Sequence, residues 1–238
     1  ILFVSKTDHQ NFNKIHYKKT NNNIQQEHYE LMPYVLPKTI FAYYDDLENN
    51  KIILAHYENW KKKFKGWKII FLDKYTVAEY LDPHEFEYYT ALGAVQFSDY
   101  LRFALLKKYG GVWLDAGIIV FNGKFLDTYY NEMLDQKFDV CVYEFKKETI
   151  SKETPHLENW FIMAPKNSRY VNDIYNEYVK AINMGFINYK ADVLIPSGVN
   201  LTHTIGYRDR TYLIQHAIIN YLMFTGKNYN INLKYADD

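Results

Sequence analysis

Between Phe97 and Asp115 the chain reads F-S-D-Y-L-R-F-A-L-L-K-K-Y-G-G-V-W-L-D, and this stretch restricts the possible folds more than any other. Leu101, Ala104, Leu105 and Tyr109 recur at three- and four-residue steps. Lys107 and Lys108 suit the negative end of a helix dipole, and Gly110 is a natural helix stop. The spacing predicts a helix over 98–109. Asp99 and Arg102 then share one face of its first turns, while Val112-Trp113-Leu114 opens a buried strand that carries Asp115 out at its carboxyl end. Two acids and a guanidinium can thus converge on one crevice, as α/β proteins build their sites. The residues alone also allow a plainer arrangement, with Asp99 capping the helix and Arg102 as its partner one turn on.

Elements of the same class surround this run. Thr39-Ile40-Phe41-Ala42-Tyr43 reads as a strand, 52–64 as a helix through Ile53, Tyr57, Trp60 and Phe64, and Lys68-Ile69-Ile70-Phe71-Leu72 as a second strand. Segments 76–80 and 83–89 read as short helices. After Asp115 the chain turns at Gly117 and runs through Ile118-Ile119-Val120-Phe121 to an Asn122-Gly123 turn. Later strands are expected over 139–143 and 160–164. Ser168 caps a long amphipathic helix through Ile182, and a last helix covers 211–224. Residues 1–32, with Asn21-Asn22-Asn23 and Gln25-Gln26, read as a weakly ordered polar lead-in, and 33–238 as a single domain.

At 238 residues and 48% hydrophobic content the chain suits one α/β domain with a sizeable core. Lys+Arg 28 against Asp+Glu 28 leaves no net field for a polyanion, which argues against a nucleic-acid partner. The single Cys141, in the apolar run Val140-Cys141-Val142-Tyr143, reads as a buried thiol, cannot form an internal disulfide, and fits a reducing cytoplasm. No apolar stretch approaches the ~20 residues that span a bilayer. The chain opens at Ile1 without a methionine or signal-peptide pattern, as a trimmed segment of a longer protein would. Lys61-Lys62-Lys63 beside Phe64, Lys65 and Trp67 is either a solvated helix face or a patch for peripheral contact with the inner, anionic face of a membrane. Aromatics make up 18% of the chain, with 24 tyrosines; they suit sugar faces, and AT-rich coding explains them equally well.

The pattern S-D-x-L-R, an apolar helix, then Y-G-G-x-W-L-D-A resembles glycosyltransferases of the capsular polysaccharide synthesis type. These are related to the wider group with a DXD sugar-binding region, which includes yeast-type mannosyltransferases and clostridial glucosylating toxins. Leu36-Pro37-Lys38-Thr39-Ile40-Phe41-Ala42-Tyr43-Tyr44, Glu158-Asn159-Trp160-Phe161-Ile162 and Tyr212-Leu213-Ile214 extend the likeness in order along the chain.

The resemblance implies a GT-A-type α/β nucleotide-sugar-binding domain, a mixed central sheet flanked by helices. It implies transfer of a hexose from a nucleotide sugar, a UDP-sugar foremost, to a growing surface polysaccharide or oligosaccharide, with retention and with an acceptor that can be lipid-linked. Carried over residue by residue, it places Asp99 on donor sugar hydroxyls and Arg102, beside Ser98, facing the donor's charge. Phe41, Ala42, Tyr43 and Tyr44 would surround the base, and Gly111 would let the backbone approach the donor, although ending a helix and starting a strand is cause enough for that glycine. Asn159 and Trp160 would form an acceptor-side edge and His216 would approach the diphosphate, although a lone helical histidine also serves packing. Asp115 matches the first acid of the DXD-like motif and would assist Mn or Mg, but the triplet reads Asp115-Ala116-Gly117 and lacks the second acid. Two rival functions follow: transfer to a protein acceptor, as in the toxin relatives, and non-catalytic nucleotide-sugar binding.

Overall fold

The computed structural model describes residues 33–86, 89, 92–205 and 211–236; the lead-in expected over 1–32 lies outside them. The chain forms strand β1 (Thr39–Tyr43), helix α1 (Lys51–Lys63), β2 (Lys68–Leu72), α2 (Ala94–Tyr109) and β3 (Gly111–Leu114). It continues through α3 (Lys124–Gln136), β4 (Val140–Glu144), β5 (Leu157–Ala164), α4 (Arg169–Met184), α5 (Ile214–Phe224) and β6 (Ile231–Tyr235). The strands make one sheet in the order β2-β1-β3-β5-β4-β6. β1 runs parallel to β2 and β3, β5 lies antiparallel between β3 and β4, and β6 is parallel to β4. This is the expected mixed α/β sheet flanked by helices.

Both sheet faces are covered, so the inner strands carry near-continuous apolar runs rather than clean alternation. Phe41, Tyr43, Trp113 and Ile162 pack toward α2, α4 and α5, while Ile40, Ala42, Val112, Leu114 and Met163 pack toward α1 and α3. Local chemistry sets the element ends. The Asn50 side chain accepts from the N–H groups of Ile52 and Ile53 to start α1, and Ser168 Oγ accepts from Val171 N to start α4. Helix α2 stops at Gly110, in the left-handed region at φ 69°. Gly111 follows at φ 109°, and a Cβ there would sit 2.6 Å from the Thr39 carbonyl oxygen. The close approach of β1 and β3 therefore requires this glycine.

Several boundaries differ from the sequence reading. Helix α2 begins after Gly93, a turn earlier than the 98–109 expected. Asp99 is therefore interior to the helix and caps nothing. The apolar run 118–121 adds no strand to the sheet; Ile118 N bonds back to the Asp115 carbonyl in a tight turn, and Ile118 and Val120 are simply buried. Helix α3 went unread although its stripe was there to see: Phe125, Leu126, Tyr129, Tyr130, Met133 and Leu134 recur at three- and four-residue steps and pack against the core. Strand β6 went unread because it is a short edge strand that pairs with β4 alone.

The basic cluster Lys61-Lys62-Lys63 is exposed in the last turn of α1, but Phe64 and Trp67 turn inward and belong to the core. No aromatic of that cluster is available to insert into a membrane. Among the described residues no helix is long and apolar enough to cross one. Cys141 is fully buried, and burial pushes its thiol well above the usual range, so it is inert.

The sheet order places a topological switch at β1: the chain leaves it for β2 on one side and returns as β3 on the other. In open α/β sheets such a switch opens a crevice beyond the carboxyl ends of the two strands, where ligands bind. Here those ends are Tyr43-Tyr44 and Asp115.

Candidate active site

Helix α2 and strand β3 meet through a charged cluster beneath that crevice. Arg102 Nη1 lies 2.6 Å from Asp99 Oδ1 and donates to Gln215 Oε1 at 2.8 Å. Its Nη2 reaches Asp115 Oδ1 at 3.2 Å. The guanidinium carbon stands 5.4 Å from the centroid of the Trp113 ring, and Trp113 Nε1 donates to the same Asp115 oxygen at 2.6 Å. Asp115 N continues the ladder to β5 by donating to the Trp160 carbonyl at 2.9 Å.

Exposure separates these groups. The Asp115 side chain is 38% exposed and that of Arg102 only 5%; that of Asp99 is 7% exposed. Instead of fronting the crevice as expected, Asp99 and Arg102 lie under Asp115 and hold it. Burial drives the Asp99 carboxyl up to about 6, with the charge of Asp115 adding to the rise and Arg102 and His216 opposing it. Ser98 is half-buried on the same helix.

Of the four residues expected around a base, Tyr43 borders a cavity. Its ring is edge-on to Phe97 at 5.6 Å and its hydroxyl donates to Asp45 at 2.7 Å. Burial and the Asp45 carboxylate keep that phenol protonated. Tyr43, Asp45, Lys74, Phe86, Gly93, Ala94 and Phe97 line a cavity of about 170 Å³ at the head of α2. Phe41 is core, stacked on Tyr109 at 5.8 Å. Ala42 is fully buried toward the opposite sheet face, and Tyr44 accepts from Asn50 on the way into α1. For Phe41 and Ala42 the structure replaces the expected base contact with packing. Gly111 likewise serves the approach of β1 rather than that of a donor.

The acceptor-side pair separates as well. Asn159 points toward α5 and donates to Gln215 Oε1 at 2.7 Å. The Trp160 indole goes to the other face and stacks on Tyr143 at 4.7 Å, so its carbonyl, not its ring, serves the site. His216 is buried, stacked on His156 at 4.9 Å, with its Nε2 3.8 Å from Glu158 Oε2. Gln215 was not anticipated. The signal was present, since a carboxamide in the apolar run I-Q-H-A-I-I is an expensive residue to bury without partners.

The Asp115 carboxylate is only partly engaged. Trp113 and Arg102 both occupy Oδ1, leaving Oδ2 without a partner among the described residues. Gly117 adds no ligand, and no group of three or more His, Cys, Asp or Glu among the described residues can hold a metal. Any ion there must draw most of its shell from elsewhere.

Compared with known proteins, residues 3–228 match the family described as capsular polysaccharide synthesis protein. The chain belongs to that family. No curated protein matches the chain. Among solved structures it is similar to one described as PaToxG Glycosyltransferase, with 15% identity and a TM-score of 0.41 over 83% of this chain and 89% of that one.

Proposed function

We propose that this chain is a glycosyltransferase that moves a hexose from a nucleotide sugar, a UDP-sugar foremost, to a growing capsular glycan with retention at the anomeric carbon. One observation carries the reading: Asp115 is the exposed member of a buried charged cluster, fixed at the end of β3 in the crevice where the sheet order switches. A carboxylate held by a guanidinium and an indole is pre-organised to take sugar or ribose hydroxyls as acceptor. The cavity beside Tyr43, Asp45 and Lys74 lies at the end of β1 and suits the nucleoside end of the donor, with aromatic walls for a base and charged groups for its polar edge. Asn159, half-buried on β5, stands on the acceptor side, and a lipid-linked glycan fits a chain of this family.

Were Mn or Mg to bind with the donor, Asp115 would be the residue that holds it. Such an ion would offset charge on the departing diphosphate. The position of Gly117 favours one alternative, a nucleotide-sugar binder that does not transfer, because the acid that would anchor an ion is missing. A thermal-shift screen of nucleotide sugars with and without Mn, followed by donor hydrolysis and transfer assays, decides between them. A selective shift with turnover is expected. Binding without turnover across donors, acceptors and metals would establish the non-catalytic reading, and no shift with any nucleotide would overturn both.

A further inference from the structure

We infer that Gln215, at the start of α5, is a positioning residue that sets Arg102, and through it Asp115, for the reaction; this rests on the transferase reading above. Its carboxamide is fully buried. Oε1 accepts from Arg102 Nη1 at 2.8 Å and from Asn159 Nδ2 at 2.7 Å, and Nε2 donates to the Asp99 carbonyl at 2.9 Å. The partners fix its orientation: turned over, the amide would face two donors with a donor and a carbonyl with a carbonyl. One side chain thus joins α2, β5 and α5.

A guanidinium has five N–H donors in one rigid plane, so whatever fixes one edge fixes the direction of the others. Asp99 and Gln215 together hold Nη1, which leaves Nη2 aimed at Asp115. Asp99 alone is a single contact about which the plane can turn. The same Oε1 also holds Asn159, so the strand on the proposed acceptor side and the arginine under the donor carboxylate share one atom. Nothing about packing demands an amide here. Its neighbours along α5 are Ile214, Ala217, Ile218 and Ile219, all buried, among which leucine would sit as well.

Gln215→Leu and Gln215→Glu separate positioning from packing. A packing role predicts that Leu is neutral and that Glu, a buried acid, is damaging. Positioning predicts the reverse order. Gln215→Leu should stay folded, melting below the parent because Arg102 Nη1 and Asn159 Nδ2 lose an acceptor, and should turn over donor about tenfold more slowly or worse, with donor KM within about threefold. Gln215→Glu keeps an oxygen facing Arg102 and Asn159 and should retain more of kcat. Asn159→Ala, which removes the other donor to Oε1, should lower kcat several-fold. Parent-like kcat in Gln215→Leu overturns the inference, as does parent-like kcat in Asn159→Ala if Gln215→Leu does not fold. If the parent turns over no donor, the transferase reading fails while the role of Gln215 is still read by NMR of the Arg102 guanidinium. Separate Nη signals in the parent that merge in a folded Gln215 variant support it, and signals unchanged by the substitution refute it.

Discussion

Trp113 Nε1 and Asp115 Oδ1 are 2.6 Å apart, a hydrogen bond between two residues on the same side of the chain as it leaves β3. The strand's two-residue period makes this possible, and the bond takes up one oxygen of the carboxylate before any ligand arrives. Arg102 adds a second donor to that oxygen. A carboxylate so held loses little further freedom when it meets a sugar hydroxyl, and that is the basis for expecting it to be essential.

Asp115→Asn should therefore abolish transfer, by roughly 100-fold or more, while the fold survives. The side chain is 38% exposed and the amide oxygen can still accept from Trp113, so no cavity or stranded core group results. Thermal melting should stay within about 3 °C of the parent. Turnover at the parent rate in the purified variant would remove Asp115 from the site.

Arg102→Lys should fail despite keeping the charge. An ammonium is a point donor and cannot serve Asp99, Gln215 and Asp115 from one plane while lying over Trp113. Because the arginine is buried, a loss of about 2 kcal/mol or more in stability is expected along with the loss of turnover. Denaturant melts with a donor-turnover assay test this, and parent-like values in both would show the fork geometry to be dispensable.

The acid at Asp99 ties both stability and activity to pH, with opposite signs. Burial raises its carboxyl from 3.8 to about 6, so the folded protein binds that proton more tightly than the unfolded chain. Its contribution to stability is complete below the unfolded value and is lost as pH rises through about 6, on the order of 3 kcal/mol in all. Activity should run the other way, falling as pH drops below about 6, because a protonated Asp99 holds Arg102 less strongly. Asp99→Asn should flatten the stability slope between pH 4 and 6. Denaturant titrations at several pH values check this, and an unchanged slope would clear Asp99 of responsibility.

Gly117→Asp asks whether the missing acid can be restored. Gly117 is exposed, its φ lies outside the left-handed region, and an added Cβ meets nothing within 4 Å. The variant should fold as the parent does. Calorimetry with Mn should show weak binding to the parent without UDP, stronger binding with it, and a further gain of about tenfold in the variant. Identical Mn isotherms in parent and variant would detach this turn from any ion.

The sequence disclosed the frame of this site more fully than its depth. The helical period from Leu101 to Tyr109, the Gly110 stop and the strand ending at Asp115 put the three charged groups in one place, and they meet there. Burial order was not legible, because whether Arg102 lies over or under Asp115 depends on α5, which arrives more than a hundred residues later. The same long-range contact decides what Gln215 holds, although its place in the apolar run I-Q-H-A-I-I marked it as a residue in need of partners. Trp160 misled for a local reason: Asn159 and Trp160 project to opposite faces of β5, so a motif spelled with adjacent letters cannot place both side chains in one crevice. Aromatic richness near Tyr43 was likewise ambiguous, since alternate residues of β1 serve opposite core layers.

The reversed direction of β5 between two neighbours has a consequence for how such a chain can diversify. Were every strand parallel, the segment entering β5 would lie at the far end of the sheet from the segment leaving β3. Antiparallel pairing, with Leu114 opposite Phe161, instead brings the inlet of one beside the outlet of the other. The connection from β4 into β5, residues 145–156, therefore opens onto the crevice that holds Asp115; it supplies none of Asp99, Arg102 and Gln215, and only its last residue, His156, is buried beside them, stacked on His216. Lengthening or rewriting that connection ahead of His156 can change the mouth of the crevice while the machinery beneath stays as it is. Such a chain can vary at its surface without a redesigned core.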